Sequence, residues 1–176
     1  ITFQIDGIDA YTDKPVGSAA GTGAPSLSSA TLAVMLEEAV LNHIDGFNTR
    51  LQNHFDIMFE KGREVIIRIK KWDDWDEDLE TEYGDDEDEL SVIIEDWMSD
   101  NTVNGVFNTV DATENMMLFE QVRIPLYYER KGQQRAMDTK RFARGLSKYL
   151  KTEYEIISKV TMKGLGRATR SEEHTS

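Results

Sequence analysis

From Glu64 onward the hydrophobic period switches repeatedly between two and 3.6, and that succession constrains the fold more than any other feature. Glu64 to Trp72 (EVIIRIKKW) alternates, with Val65, Ile67 and Ile69 on one face, as a half-buried strand does. Leu90, Ile93, Ile94, Trp97 and Met98 then fall on one face of a helix. A short strand is expected over Val103 to Phe107, followed by a turn over Asp111 to Asn115. Met116 to Tyr128 (MMLFEQVRIPLYY) reads as a strand in which Pro125 implies an edge or a bulge. After a basic turn at Arg130 to Arg135, Asp138 caps a helix that turns Phe142, Leu146, Tyr149 and Leu150 inward. Tyr154 to Lys163 is the last strand, and Gly164-Leu165-Gly166 breaks it. Strand, helix, strand, strand, helix, strand is the βαββαβ order of ferredoxin-like domains, so the fold class is α+β. Two helices should cover one face of an antiparallel sheet; the other face needs a cover or meets solvent.

The first third has a different order. Ile1 to Ala10 alternates, Tyr11 to Pro15 has turn chemistry, and Val16 to Gly21 is the return strand of a hairpin. Gly21 to Ser28 is a loop in which Ser26 or Ser28 can cap the next helix. That helix is long, expected from about Ser29 to Glu60, bent at Asp45-Gly46 and stopped by Lys61-Gly62. Residues 1–61 thus look like the C-terminal part of a truncated α/β domain, and 62–169 form the ferredoxin-like domain. Residues 170–176 (RSEEHTS) match the translation of a sequencing adapter and are set aside.

Composition removes several function classes. The chain has no cysteine, hence no disulfide scaffold, thiolate metal site or cysteine nucleophile. It has no apolar run long enough to span a bilayer. Its net charge is −13, but Trp72 to Glu89 alone carries 12 acids and no base, so the remainder is near neutral. A nucleic-acid partner needs a concentrated basic face, and none is expected.

The acidic stretch is where chemistry would be sought. Asp74, Asp76 and Asp78 occupy the first, third and fifth positions of a calcium-loop pattern. The glycine that such a loop needs is Leu79, the closing glutamate is Asp85, and a strand precedes the loop instead of a helix. A mobile, solvated acidic loop is the alternative. Trp72 and Trp75 flank Asp73 and Asp74, an arrangement that suits sugar or peptide sites because a flat apolar face stacks while acids take hydrogen bonds. The competing reading has Trp72 capping the strand and Trp75 packing under the loop. Trp72, Asp73, Asp74, Trp75, Asp76 and Asp78 are the candidate binding residues; no catalytic or metal-ligating residue and no cofactor is assigned.

Other motifs are weaker. His43 and His54, eleven apart, share a face of the expected long helix, but no HExxH accompanies them and core-edge positions account for them. Gly17, Gly21 and Gly23 lie between a strand and a helix, as a phosphate loop requires, yet lack GK[ST] and the third glycine of GxGxxG; turn geometry is the simpler cause. No GxSxG or Cys/His pair is present, and the carboxylates cannot be sorted into acid and base without geometry.

The segments IDAYTDKPVG, LEEAVLNHIDGFN, GREVIIRIKKWDDWD, IEDWMSDNTVNGVFN, DATENMMLFEQVRIPLY, RFARGLSKYL and GLGRAT together resemble an uncharacterised family of exported Bacteroidota proteins known only as a domain of unknown function. The resemblance runs from Ile1 to Thr169. It implies a leader and a further α/β segment before Ile1, hence a periplasmic, envelope or secreted location. It carries no activity and no site residues. The Ile5–Gly21 hairpin and following helix are also similar to envelope accessory proteins of the curli-secretion, penicillin-binding-protein-activator and flagellar-T type, which act by protein contacts. The resulting expectation is a non-enzymatic exported protein with a protein partner in the cell envelope. A ligand- or cation-binding module using the Trp/Asp loop, and a carboxylate-dependent hydrolase, are the alternatives.

Overall fold

The computed structural model describes residues 2–23 and 31–171, and the chain divides into two compact units, 1–60 and 61–176. The loop and cap expected near Ser26 and Ser28 lie outside the described residues, as do 172–176 of the adapter-like tail.

The first unit is a hairpin with two helices. Strands β1 (Thr2–Ile8) and β2 (Pro15–Thr22) pair antiparallel in the register Phe3↔Gly21, Ile5↔Ala19 and Gly7↔Gly17. The single long helix expected here is instead two, α1 (Leu32–Leu41) and α2 (Ile44–Lys61). The break falls at Asn42–His43 rather than at Asp45-Gly46. There the His43 N–H donates to Val40 O in a tightened last turn, and its ring Nδ1 sits 2.8 Å from Ala39 O. Gly46 lies inside α2 with open space around it, so nothing forces a bend there.

The glycines of this hairpin serve close packing, not turns. A Cβ on Gly7 would come within 3.2 Å of the Phe47 ring, one on Gly17 within 3.2 Å of Arg50 Cβ, and one on Gly21 within 2.7 Å of the His43 ring. His43 therefore occupies the space that Gly21 leaves open, edge-on to Phe3 with centroids 5.7 Å apart. The absence of side chains at these positions lets helix and hairpin approach.

The second unit is α+β, keeping the expected order of its main strands and helices and adding a two-residue ladder, a hairpin and a final strand. Strands β3 (Arg63–Lys70), β6 (Asn108–Thr113) and β7 (Met116–Ile124) join β10 (Lys159–Met162) and β11 (Arg167–Ser171) in a five-stranded sheet ordered β10-β11-β3-β7-β6. Helix α3 (Leu90–Asn101) connects β3 to β6 and helix α4 (Thr139–Tyr154) leads to β10. The order β3-β7-β6, antiparallel throughout, is that of the split βαβ arrangement. The difference lies beside β3. The strand after α4 is displaced to the edge, and β11 turns back at Gly164 to slot between β10 and β3, parallel to β3. Two hydrogen bonds hold that turn. Ile66 N–H donates to Gly166 O (2.9 Å), and the buried Thr139 hydroxyl donates to Leu165 O (2.8 Å).

Cross-strand pairs Val65↔Val122, Ile67↔Phe119 and Ile69↔Met117 build the inner face, all of them fully or almost fully buried. Phe119 and Val122 face the same way although three residues apart, because Gln121 adopts φ +53 in a bulge opposite β3. Leu90, Ile93, Ile94 and Met98 of α3, and Phe142, Leu146 and Leu150 of α4, are buried. Burying a side chain of this size is worth about 1.5–3 kcal/mol each. Asp138 caps α4 as expected, its Oδ1 accepting from Arg141 N–H at 2.6 Å. The helix runs on to Tyr154, where Glu155 at φ +59 ends it, so the last strand starts later than the alternation implies.

Three other boundaries move. Val103–Gly105 is a 3₁₀ turn, not a strand. The run Met116 to Tyr128 is two strands, since Pro125 and Leu126 separate β7 from β8 (Tyr127–Arg130). Strand β8 pairs only with β9 (Gln133–Ala136), so the basic turn is the tip of a two-stranded hairpin, with Lys131 and Gly132 both at positive φ.

Candidate functional site

The acidic stretch is held down at its middle. Leu79 is completely buried, its N–H donating to Glu114 O (2.9 Å) and its carbonyl accepting from Ser91 N–H (2.8 Å). Thr81 O accepts from Leu90 N–H (3.0 Å), which leads the chain into α3. Asp78 makes a local turn. Its Oδ1 accepts from Glu80 N–H (2.9 Å) and from the Thr81 hydroxyl (3.2 Å). Within the stretch, β4 (Glu82–Tyr83) and β5 (Asp88–Glu89) form a two-residue ladder around Gly84 and Glu87, both at positive φ. Tyr83 donates its hydroxyl to Glu77 and meets Tyr154 edge-on at 6.1 Å. Apart from Asp78, the acids of the stretch are exposed, as expected of a solvated loop, while Leu79 and the short ladder tie its middle to the fold. The helix begins at Leu90, so Asp86 to Glu89 precede it.

The six candidate residues do not share one environment. Trp72 comes just after the end of β3 and is half-buried, with its indole Nε1 out of solvent and bonded to no described residue. Trp75 is half-buried, and its N–H donates to Trp72 O (3.2 Å) in a turn. Asp73, Asp74 and Asp76 are exposed, and Asp78 is half-buried in its own turn. Among the described residues no group of three or more His, Asp or Glu side chains is placed to hold a metal ion. The alternate aspartates that suggested a calcium loop thus do not converge.

The two histidines are also separated in role. His43 packs on Gly21, whereas His54 Nε2 lies 3.0 Å from Asp9 Oδ2. The other Asp9 oxygen accepts from Tyr11 N–H (2.7 Å), so Asp9 ties the hairpin turn to α2.

Two of the concavities in the second unit are formed by described residues. One, about 430 Å³, is lined by Lys61, Val103, Asn104, Val106, Gln121 and Arg123. Asn104 and Gln121 are both at positive φ there, and the Arg123 guanidinium is already engaged by Glu64 Oε2 at 2.9 Å. The other, about 370 Å³, runs beside the β8–β9 hairpin along Tyr127, Tyr128, Glu129, Gly132 and Gln134. Arg141 of α4 stacks on the Tyr128 ring, 4.5 Å from its centroid, and props the hairpin at its base. Sequence periodicity gives no sign of this surface, because neither strand has a buried face: β9 is exposed throughout.

The first unit carries a different feature. None of the 18 residues of α2 is buried, and Phe55, Ile57 and Phe59 are exposed. Helix α1 likewise exposes Leu32, Val34, Leu36 and Leu41, the first of them at 69%.

No helix among the described residues is long and apolar enough to cross a membrane. No curated protein and no solved structure matches the chain. A family model, a domain of unknown function (DUF6175), matches residues 63–170, nearly the whole second unit and more than half of the chain. The chain belongs to that family of domains of unknown function, DUF6175.

Proposed function

We propose that this chain is a non-enzymatic binding or assembly module that acts by protein contact, and that it works in the cell envelope after export. What supports the contact role is the apolar surface of α1 and α2. Large exposed apolar patches mark interaction sites. Here Leu32, Leu36, Leu41, Phe55 and Phe59 stay exposed on two helices of which only Ala39 is buried. The envelope location rests on the resemblance to exported proteins.

The test uses the chain as bait against envelope extracts, beside a variant carrying Phe55→Asp and Phe59→Asp. Both positions are exposed, so the fold should survive the change, which circular dichroism checks. A partner recovered by the original chain, lost by the variant, and able to recover the chain in the reciprocal experiment supports the reading. Equal recovery by both overturns it.

A further inference from the structure

We propose that the β8–β9 hairpin, with the first turns of α4, is a docking surface for the acidic segment 73–89 of a second copy of this chain. The surface is basic. Arg130, Lys131 and Arg135 on the hairpin and Lys140 and Arg144 on α4 are exposed, Arg141 stacks at the hairpin's base, and the exposed acids among them are Glu129 and the helix cap Asp138. None of these six cations forms an ion pair with a described residue. The sequence marks the turn at Arg130 to Arg135 as basic, and the fold sets Arg141 of α4 against its base.

The occupant is set by where the acids lie. Helix α4 separates the two charge clusters. Its first turn touches the hairpin through Arg141 and Tyr128. Its last residue, Tyr154, touches the acidic segment through Tyr83 and through Gly84, whose Cβ would lie 3.4 Å from the Tyr154 ring. Sixteen residues of helix span about 24 Å. Charges so far apart are screened from each other beyond about 10 Å in 0.1 M salt. Lys148 and Lys151 of α4 stand nearer the acidic segment, but they are two cations against its 12 acids, so most of that charge and the hairpin's are left to meet between copies. Both are held in place for it: the acidic segment by Leu79 and its short ladder, the hairpin by Arg141 and by Met137 N–H donating to Leu126 O at 2.8 Å. Unlike surfaces that meet head to tail leave a free basic end and a free acidic end, so the contact propagates into short chains or closes into a ring. It is independent of the apolar helices α1 and α2. Net repulsion between copies keeps it short-ranged and sensitive to salt.

The test is sedimentation velocity of the whole chain at about 0.02 M and about 0.5 M salt, where screening lengths differ several-fold. Concentration-dependent association at low salt, lost at high salt, is expected. A triple variant R130E/K131E/R135E, and a second one D85K/D86K/D88K, should each be monomeric alone and should associate when mixed, because each retains the half that the other lacks. All six positions are exposed, and thermal melting checks that both variants fold. A chain that stays monomeric at low salt overturns the proposal. So does association that persists at high salt and disappears in the Phe55→Asp/Phe59→Asp variant, which would place the contact on the apolar helices. Binding of the hairpin to anionic vesicles or to heparin without self-association would overturn it in favour of another polyanion.

Discussion

The Trp97 indole meets the Phe142 ring edge-on, with centroids 5.1 Å apart, and this contact joins α3 to α4 over the sheet. Gly145, one turn along α4, makes room for it: a Cβ there would stand 3.2 Å from Trp97 Cζ2. Edge-to-face pairs add about 0.5–1.5 kcal/mol beyond the area they bury. Phe142 is almost fully buried, so Phe142→Ala should cost about 3–5 kcal/mol in urea unfolding monitored by tryptophan fluorescence. Gly145→Leu sets a helix-propensity gain of about 1 kcal/mol against crowding of Trp97, so it should stabilise by less than that gain. A Gly145→Leu variant more stable than the original by the full propensity gain of about 1 kcal/mol would show that the two helices do not meet here in solution.

Gly62 offers a sharper backbone test. It sits at φ +78, and a Cβ on it would lie 2.5 Å from Ile124 O and 2.8 Å from Val103 Cγ2. Gly62→Ala combines a left-handed conformation with a collision against main chain that cannot rotate away. A loss of at least about 2 kcal/mol is expected from those two sources. The denaturation midpoint measures it, and an unchanged midpoint would rule out the close approach.

Leu79 should matter more to the acidic stretch than any of its carboxylates. Leu79→Ala removes a fully buried side chain and should cost about 2–5 kcal/mol. Asp74→Asn, at an exposed position, should stay within about 0.5 kcal/mol of the original. Hydrogen exchange gives a second readout. Amides of 79, 90 and 91 should lose protection in Leu79→Ala, and if they do not, the segment is held by something other than this anchor.

Tyr149 gives the chain an alkaline transition. Its hydrogen bond with Tyr154, then burial and the charges of Tyr154, Glu153 and Asp100, push its phenol up from 10.0 to about 12. The folded state thus keeps its proton where the unfolded state loses it. The stabilisation is complete below pH 10 and is lost as pH rises from about 10 to about 12. Phenolate absorbance should show one tyrosine titrating late, and Tyr149→Phe should remove that phase. The stability of the original chain should fall faster than that of Tyr149→Phe across the same window; parallel curves would contradict the assignment.

The periodic part of the molecule follows from local pattern alone. Val65, Ile67 and Ile69 repeat every second residue, and Leu90, Ile93, Ile94 and Met98 keep to the helical period. Phe142, Leu146 and Leu150 do the same on α4, and all of these side chains are buried where the pattern places them. Asp138 announces its cap because a carboxylate before a helix has one local partner available, the free N–H at Arg141. Local pattern suffices in each case, since burial of one face is the only way to satisfy it.

Tertiary structure decided the rest, because those features have no local signature. Leu79 is one apolar residue among acids, and only the Glu114 carbonyl and the α3 start, both distant or yet to fold, make it an anchor. The packing of His43 at the break uses the space left by Gly21, 22 positions earlier and on the opposite element. Insertion of β11 beside β3 depends on Gly166 and Thr139 holding one turn from two sides. The same holds for the charges. Composition counts the acids and the bases, but only the fold sets the basic hairpin against the first turn of α4, through Arg141 and Tyr128, and the acidic segment against its last residue, through Tyr83 and Tyr154.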